Sequence, residues 1–170
     1  MSARTTQAPT TVLSEGEGVS DYWWPYAPRV GRYTFKTTGE ETQGSLAQLV
    51  VNDSRGAATP LHIHHDADET FYVLEGEATI VVGDERVEAK AGDFVLGPRG
   101  VSHAFVITSD QAKLLVTFSP AGGFPGFVDE VAIPVAAGEK PDPTMPDGAE
   151  FARLMMQYGI ELVGPPPFGE

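Results

Sequence analysis

The chain has no cysteine, which removes disulfides, thiolate-bound zinc and thiol nucleophiles together and leaves histidine and carboxylates as the available metal ligands. Basic residues are scarce: 11 Lys and Arg stand against 24 Asp and Glu, a formal charge of -13 that repels a phosphate backbone or an anionic membrane surface. Nucleic acid and membrane are therefore not expected as partners. No uninterrupted apolar run approaches the roughly 20 residues of a membrane-spanning helix. Residues 1–20 are polar, without the apolar stretch of a secretory signal, so a cytoplasmic location is expected. Helical periodicity is missing from the middle of the chain, which argues against βαβ units.

What the sequence has instead is punctuation. In 170 residues, 19 Gly and 14 Pro break it too often for a long-helix bundle, and the length suits one domain. From Arg32 to Pro120 run nine short apolar or alternating segments: Arg32 to Lys36, Ser45 to Val51, Leu61 to His65, Glu69 to Glu75, Ala78 to Val82, Arg86 to Lys90, Phe94 to Leu96, His103 to Thr108 and Lys113 to Phe118. Each ends at turn-forming residues, which predicts an all-β domain of short antiparallel strands, with hairpin turns at Gly83-Asp84 and Ser109-Asp110-Gln111. Three parts are expected: a flexible arm over 1–20, a β-barrel domain over 21–120, and a C-terminal extension over 121–170. In that extension Asp147 and Glu150 cap a short amphipathic helix near 148–158, with Phe151, Leu154, Met155 and Tyr158 on one stripe, before the proline-rich tail Pro165-Pro166-Pro167. The aromatic segment Tyr22-Trp23-Trp24-Pro25-Tyr26 must be covered, either over a barrel mouth or between subunits, and the second reading is preferred.

Only four histidines occur, and three fall at meaningful positions. On a strand His62 and His64 project from one face, close enough for two imidazoles to share an ion, while His65 turns to the other face and is read as a surface residue. After the turn His65-Asp66-Ala67-Asp68, Glu69 opens the returning strand, where it could add a third ligand from the neighbouring strand, with Phe71 and Val73 facing the same way. The His-x-His pair alone is as compatible with a solvated strand edge as with a metal half-site.

Gly56, His62, His64, Glu69 and Gly76 are spaced as G-x5-H-x-H-x4-E-x6-G, and Gly92, Pro98, Gly100 and His103 as G-x5-P-x-G-x2-H-x3-N, with Ile107 where that pattern ends in Asn. In these nine positions the sequence resembles the cupin superfamily. The whole-chain layout is most similar to its single-domain quercetinase-like dioxygenases. The resemblance implies a jelly-roll barrel in which His62, His64, Glu69 and His103 surround one divalent transition metal: iron, manganese, nickel, cobalt, copper or zinc. It implies a dioxygenase acting with dioxygen on a flavonol or similar enolisable aromatic, with Glu69 as base, and a homodimer. Two other readings stay open: an oxygen-independent decarboxylase, isomerase or cyclase, and a non-catalytic small-molecule binder. Counting in twos from His103 puts Phe105 and Ile107 on the inward face, so Phe71, Val73, Phe105 and Ile107 are the expected substrate-pocket residues. The facing of Gln48 is not fixed by the pattern.

Overall fold

The computed structural model describes residues 10–26, 30–144 and 147–168. The core strands are β1 (Ser20–Trp24), β2 (Gly31–Thr37), β3 (Ala47–Ser54), β4 (Leu61–His64), β5 (Asp68–Glu75), β6 (Glu77–Val82), β7 (Glu85–Lys90), β8 (Phe94–Gly97), β9 (His103–Ile107) and β10 (Gln111–Ser119). Then follow helix α1 (Phe124–Val131), the two-residue β11 (Ile133–Pro134), a 3-10 turn at Val135–Ala137, helix α2 (Gly148–Gln157) and β12 (Ile160–Gly164). All nine runs read from the sequence are strands. The pattern did not reveal four elements: β1 is hidden in the aromatic cluster, β11 is minimal, and α1 starts on the helix-breaking sequence Gly-Phe-Pro-Gly. The fourth, β12, falls between the helix expected near 148–158 and the proline-rich tail.

The strands form two antiparallel sheets, one ordered β11-β1-β2-β3-β10-β5-β8 and the other β12-β4-β9-β6-β7. This is the jelly-roll form of the expected all-β architecture, although the two sheets are not hydrogen-bonded into a closed barrel. From β3 onward the chain crosses repeatedly between them. The Gly83-Asp84 hairpin is as expected, joining β6 to β7. Ser109-Asp110-Gln111 is not a hairpin turn, because β9 and β10 belong to different sheets and the segment carries the chain across. A run of turn residues marks a reversal but does not say whether the next strand pairs with the last or faces it.

Alternation decides which side of each strand is buried. On β3, Ala47, Leu49 and Val51 point inward, and on β10 Ala112, Leu114, Val116 and Phe118 do so. With Phe35, Phe71, Val73, Ile80 and Ile107 they fill the space between the sheets. Each such large apolar side chain contributes about 1.5–3 kcal/mol on burial. Gly76, in the bend between β5 and β6, sits at φ 77°, and a Cβ there would lie 2.2 Å from the carbonyl oxygen of Gln111. Only glycine tolerates both the left-handed backbone and that approach. Gln48 lies on the outer face and donates to Thr117 Oγ1 at 3.0 Å, away from the interior.

At the N-terminal end, Lys36 donates to the carbonyls of Ser14 and Glu17, and Lys113 bridges Glu15 and Glu75 at 2.8 Å each, fastening residues 14–17 over the larger sheet. The rest of the arm expected over 1–20 falls partly on residues 1–9, outside the described residues. Asp147 caps α2 as read from the sequence, accepting from the amides of Ala149 and Glu150. The C-terminal elements build a second apolar cluster of Phe127, Met155 and Ile160 with Phe151, Leu154 and Tyr158 around it.

Candidate metal centre

His62 and His64 come from β4 and His103 from β9, all on the smaller sheet, where His62 and His103 are direct cross-strand partners. Glu69 comes from β5 of the other sheet. The sequence reading placed Glu69 on a strand neighbouring β4; instead it reaches across the interior, because the His65-Asp66-Ala67 link changes sheets rather than closing a hairpin. The four side chains are buried, and their donor atoms lie within 4.8 Å of one another.

Glu69 Oε2 is 2.7 Å from His103 Nε2, 3.2 Å from His64 Nε2 and 3.8 Å from His62 Nε2. Two rings are oriented from behind. His62 Nδ1 lies 2.8 Å from the carbonyl of Pro60, and His103 Nδ1 lies 2.9 Å from that of Val101. A carbonyl only accepts, so in each case Nδ1 carries the hydrogen, and the ring, when neutral, turns an Nε2 lone pair toward the centre. His64 Nε2 is buried without a hydrogen-bond partner, and its ring packs between His103 and Phe118. Three lone pairs and a carboxylate converging in a dry interior repel one another unless a cation sits among them. A divalent ion satisfies all four donors at once, so the residues present fit such a group, and this N/O set suits several transition metals.

The electrostatics show the same tension. Burial alone would raise the Glu69 carboxyl, but without an ion the imidazoles around it, His103 foremost when its Nε2 carries a proton, hold it well below the usual range, so it is ionised. Burial lowers His62. Burial also acts to lower His103, but its bond to Glu69, the charge of that carboxylate and the Val101 carbonyl prevail and raise it. His65 stays outside the cluster, half exposed, with its Nε2 2.8 Å from Glu161.

One residue the sequence reading passed over makes room for the centre. Gly97 pairs with Glu69 across β5 and β8, and a Cβ on it would stand 3.2 Å from His103 Nδ1. Its absent side chain lets the ring sit between the sheets. The sequence contained a trace of this, since Gly97 precedes Pro98 of the second motif.

Beside the donors lies a cavity of about 50 Å³, walled by His62, His64 and Glu69 and by Trp24, Phe105, Phe124, Phe127, Phe151 and Met155. Of the four expected pocket residues, Phe105 lines this cavity. Phe71, Val73 and Ile107 lie in the core outside it: inward-facing positions serve both uses, and depth along the strand separates them. Trp24 stacks on Tyr33 at 5.2 Å and 8° and meets Phe127 and Phe151. It therefore closes the mouth of its own chain, so the inference from an exposed tryptophan pair to a subunit interface loses its basis. Trp23 faces the other way, with the Lys140 ammonium 5.9 Å from its ring centre.

Two facing antiparallel sheets with three imidazoles and one carboxylate gathered between them define a metal-centre jelly roll of the cupin class. Residues 49–118 match the Cupin domain family, and the strands of that segment carry the cupin fold. It is 27% identical over 127 residues to quercetin 2,3-dioxygenase of Bacillus subtilis, a match covering 69% of this chain and 37% of that protein. It is 41% identical over 56 residues to an uncharacterised protein of Streptomyces coelicolor, covering 33% of this chain and 53% of the relative. The chain thus spans about a third to a half of the length of the curated relatives it matches. Among solved structures, a predicted oxalate decarboxylase from Thermotoga maritima superposes with a TM-score of 0.59 at 19% identity, over 65% of this chain and 99% of that one, a likeness of fold. Among the described residues no helix is long and apolar enough to cross a membrane.

Proposed function

We propose that the protein is a metal-dependent dioxygenase for a flavonol or similar enolisable aromatic. The observation that carries this reading is the juxtaposition, in one cavity, of the His62, His64 and Glu69 donors with an aromatic wall of Trp24, Phe105, Phe127 and Phe151. The similarity to quercetin 2,3-dioxygenase supports it. His62, His64, Glu69 and His103 would hold one divalent ion. When bound, that ion supplies a positive centre that stabilises an enolate and brings it together with dioxygen.

The chain's own residues prepare the rest. Glu69, ionised and buried, is available to accept the proton of the substrate hydroxyl. Pro60 and Val101 hold the Nδ1 hydrogens of His62 and His103 through their carbonyls, so that with an ion bound each ring presents its Nε2 lone pair inward. The aromatic wall excludes water and offers ring faces to the substrate. At about 50 Å³ the cavity is far smaller than the roughly 300–1,000 Å³ of sites that take drug-sized molecules. A two- or three-ring substrate therefore requires wall side chains to move, and Phe151 and Met155 stand on α2, outside both sheets.

The test is oxygen consumption by protein loaded separately with iron, manganese, cobalt, nickel, copper or zinc and supplied with quercetin and simpler flavonols. The expected result is metal-dependent uptake that follows loss of the flavonol absorbance. Uptake no greater than that of stripped protein for every ion and flavonol rejects the reading. Substrate loss continuing without oxygen would move the assignment to a decarboxylase or isomerase.

A further inference from the structure

Two of the three imidazoles are turned by a backbone carbonyl behind them, and the third is not. Among the described residues nothing accepts a hydrogen bond from His64 Nδ1, and its Nε2 is buried without a partner. What fixes this ring is packing. It stacks on His103 at 5.6 Å and 15°, meets Phe118 at 5.1 Å and stands edge-on to Phe124 at 6.0 Å and 70°. Phe118 and Phe124 are themselves stacked at 4.5 Å and 24°, so they act on the imidazole as one clamp. Phe118 belongs to β10, whereas Phe124 opens α1, beyond the segment that matches the family. Two glycines set the position of that helix. A Cβ on Gly123 would stand 2.2 Å from the carbonyl oxygen of Tyr158, and one on Gly126 would stand 2.9 Å from the Tyr158 ring. The first turn of α1 therefore lies hard against the turn that follows α2, and Phe124 is held against His64 from outside the two sheets.

We propose that Phe124 is a positioning residue for the metal centre: stacked on Phe118, it holds the His64 ring with Nε2 toward Glu69, 3.2 Å away, as the Pro60 and Val101 carbonyls hold the other two rings. Ring packing fixes the plane of an imidazole but selects no tautomer, so His64 is the donor whose placement depends on the C-terminal extension. The inference rests on reading the four donors as a metal centre, and it adds a residue that neither motif contains.

The experiment titrates cobalt against a chelator with wild type, Phe124→Leu, Phe124→Met and Phe127→Leu, and records the visible absorption of the bound ion. Phe124 is half-buried, and leucine and methionine keep most of its volume, so both variants fold. Phe127 is the control: it lines the same cavity, lies 6.4 Å from Phe124, and among the described residues makes no ring contact with His64. Losing the aromatic contact weakens cobalt binding about 3- to 10-fold in both Phe124 variants and shifts the absorption bands, while Phe127→Leu keeps wild-type affinity and spectrum. Unchanged affinity and spectrum in the Phe124 variants overturn the proposal. An equal loss in Phe127→Leu also overturns it, because the effect is then one of general loosening. Wild type that retains no cobalt rejects the metal centre itself, whereas cobalt held equally by all four proteins rejects the positioning role alone.

Discussion

Loading the donor cluster should raise the melting temperature by an amount that can be worked out beforehand. The four donors come from both sheets, so an ion among them ties the sheets together only in the folded chain, and its binding free energy becomes folding free energy. At free metal 100 times the dissociation constant, linkage gives about 2.7 kcal/mol. For a chain of this size each kcal/mol is worth about 2–4 °C, so the expected rise is about 5–11 °C over chelator-treated protein. Protons compete for the same nitrogens. Because Glu69 outweighs burial and raises His103, that ring holds its proton at a higher pH than an ordinary imidazole. The metal-induced rise should therefore be full in the alkaline range and begin to shrink above the usual value of about 6.5 as pH falls. Scanning calorimetry on stripped and reloaded protein between pH 5 and 8.5, with metal content measured in parallel, gives both numbers. His62→Ala should abolish the rise, and His65→Ala, outside the cluster, should leave it intact. An identical melting temperature with and without each of the six ions, or a rise that survives His62→Ala, would refute the reasoning.

Three further outcomes follow from particular side chains. Ile107→Asn restores the residue of the motif but places an amide in the core, so it should cost about 3–5 kcal/mol in urea unfolding while metal content of the folded fraction stays unchanged. Gly97→Ala pushes a methyl against His103 Nδ1 and should weaken metal retention about 10-fold in competition with a chelator, with far-ultraviolet circular dichroism unaltered. Asp147→Ala removes the cap of α2, should cost about 1 kcal/mol, and should speed amide exchange in α2 before the sheets are affected.

Local spacing made a half-site legible, and the full donor set of His62, His64, Glu69 and His103 came from the resemblance of the spaced motifs to the cupins. His62 and His64 are two apart on one strand, and the glycines around them mark bends: Gly56, Gly76, Gly92 and Gly100 all have φ between 77° and 95°. Strand positions were legible for the same reason, since alternation at period two is written in consecutive residues. Sheet membership was not. Whether β5 pairs with β4 or faces it depends on the sum of long-range pairings, and nothing in His65-Asp66-Ala67 distinguishes a hairpin turn from a crossing.

That one ambiguity explains the other misplacements. With β4 and β5 treated as neighbours, Glu69, Phe71 and Val73 share a pocket-facing row with the histidines. Once β5 faces β4 across the interior, only the end of the strand near Glu69 reaches the centre, and Phe71 and Val73 fall successively deeper into the core. Ile107 undergoes the same demotion at the far end of β9, opposite Ala78 and away from His103. Apart from Phe105, the aromatic part of the cavity wall is recruited from β1, β2, α1 and α2, elements distant in sequence from the motifs, whose rings carry no spacing signal that ties them to the histidines. The donor set is thus marked by spaced motifs and the pocket by tertiary packing, so two cupins with identical motifs can present different walls, and substrate choice has to be sought in Trp24, Phe127 and Phe151 rather than in the motif residues.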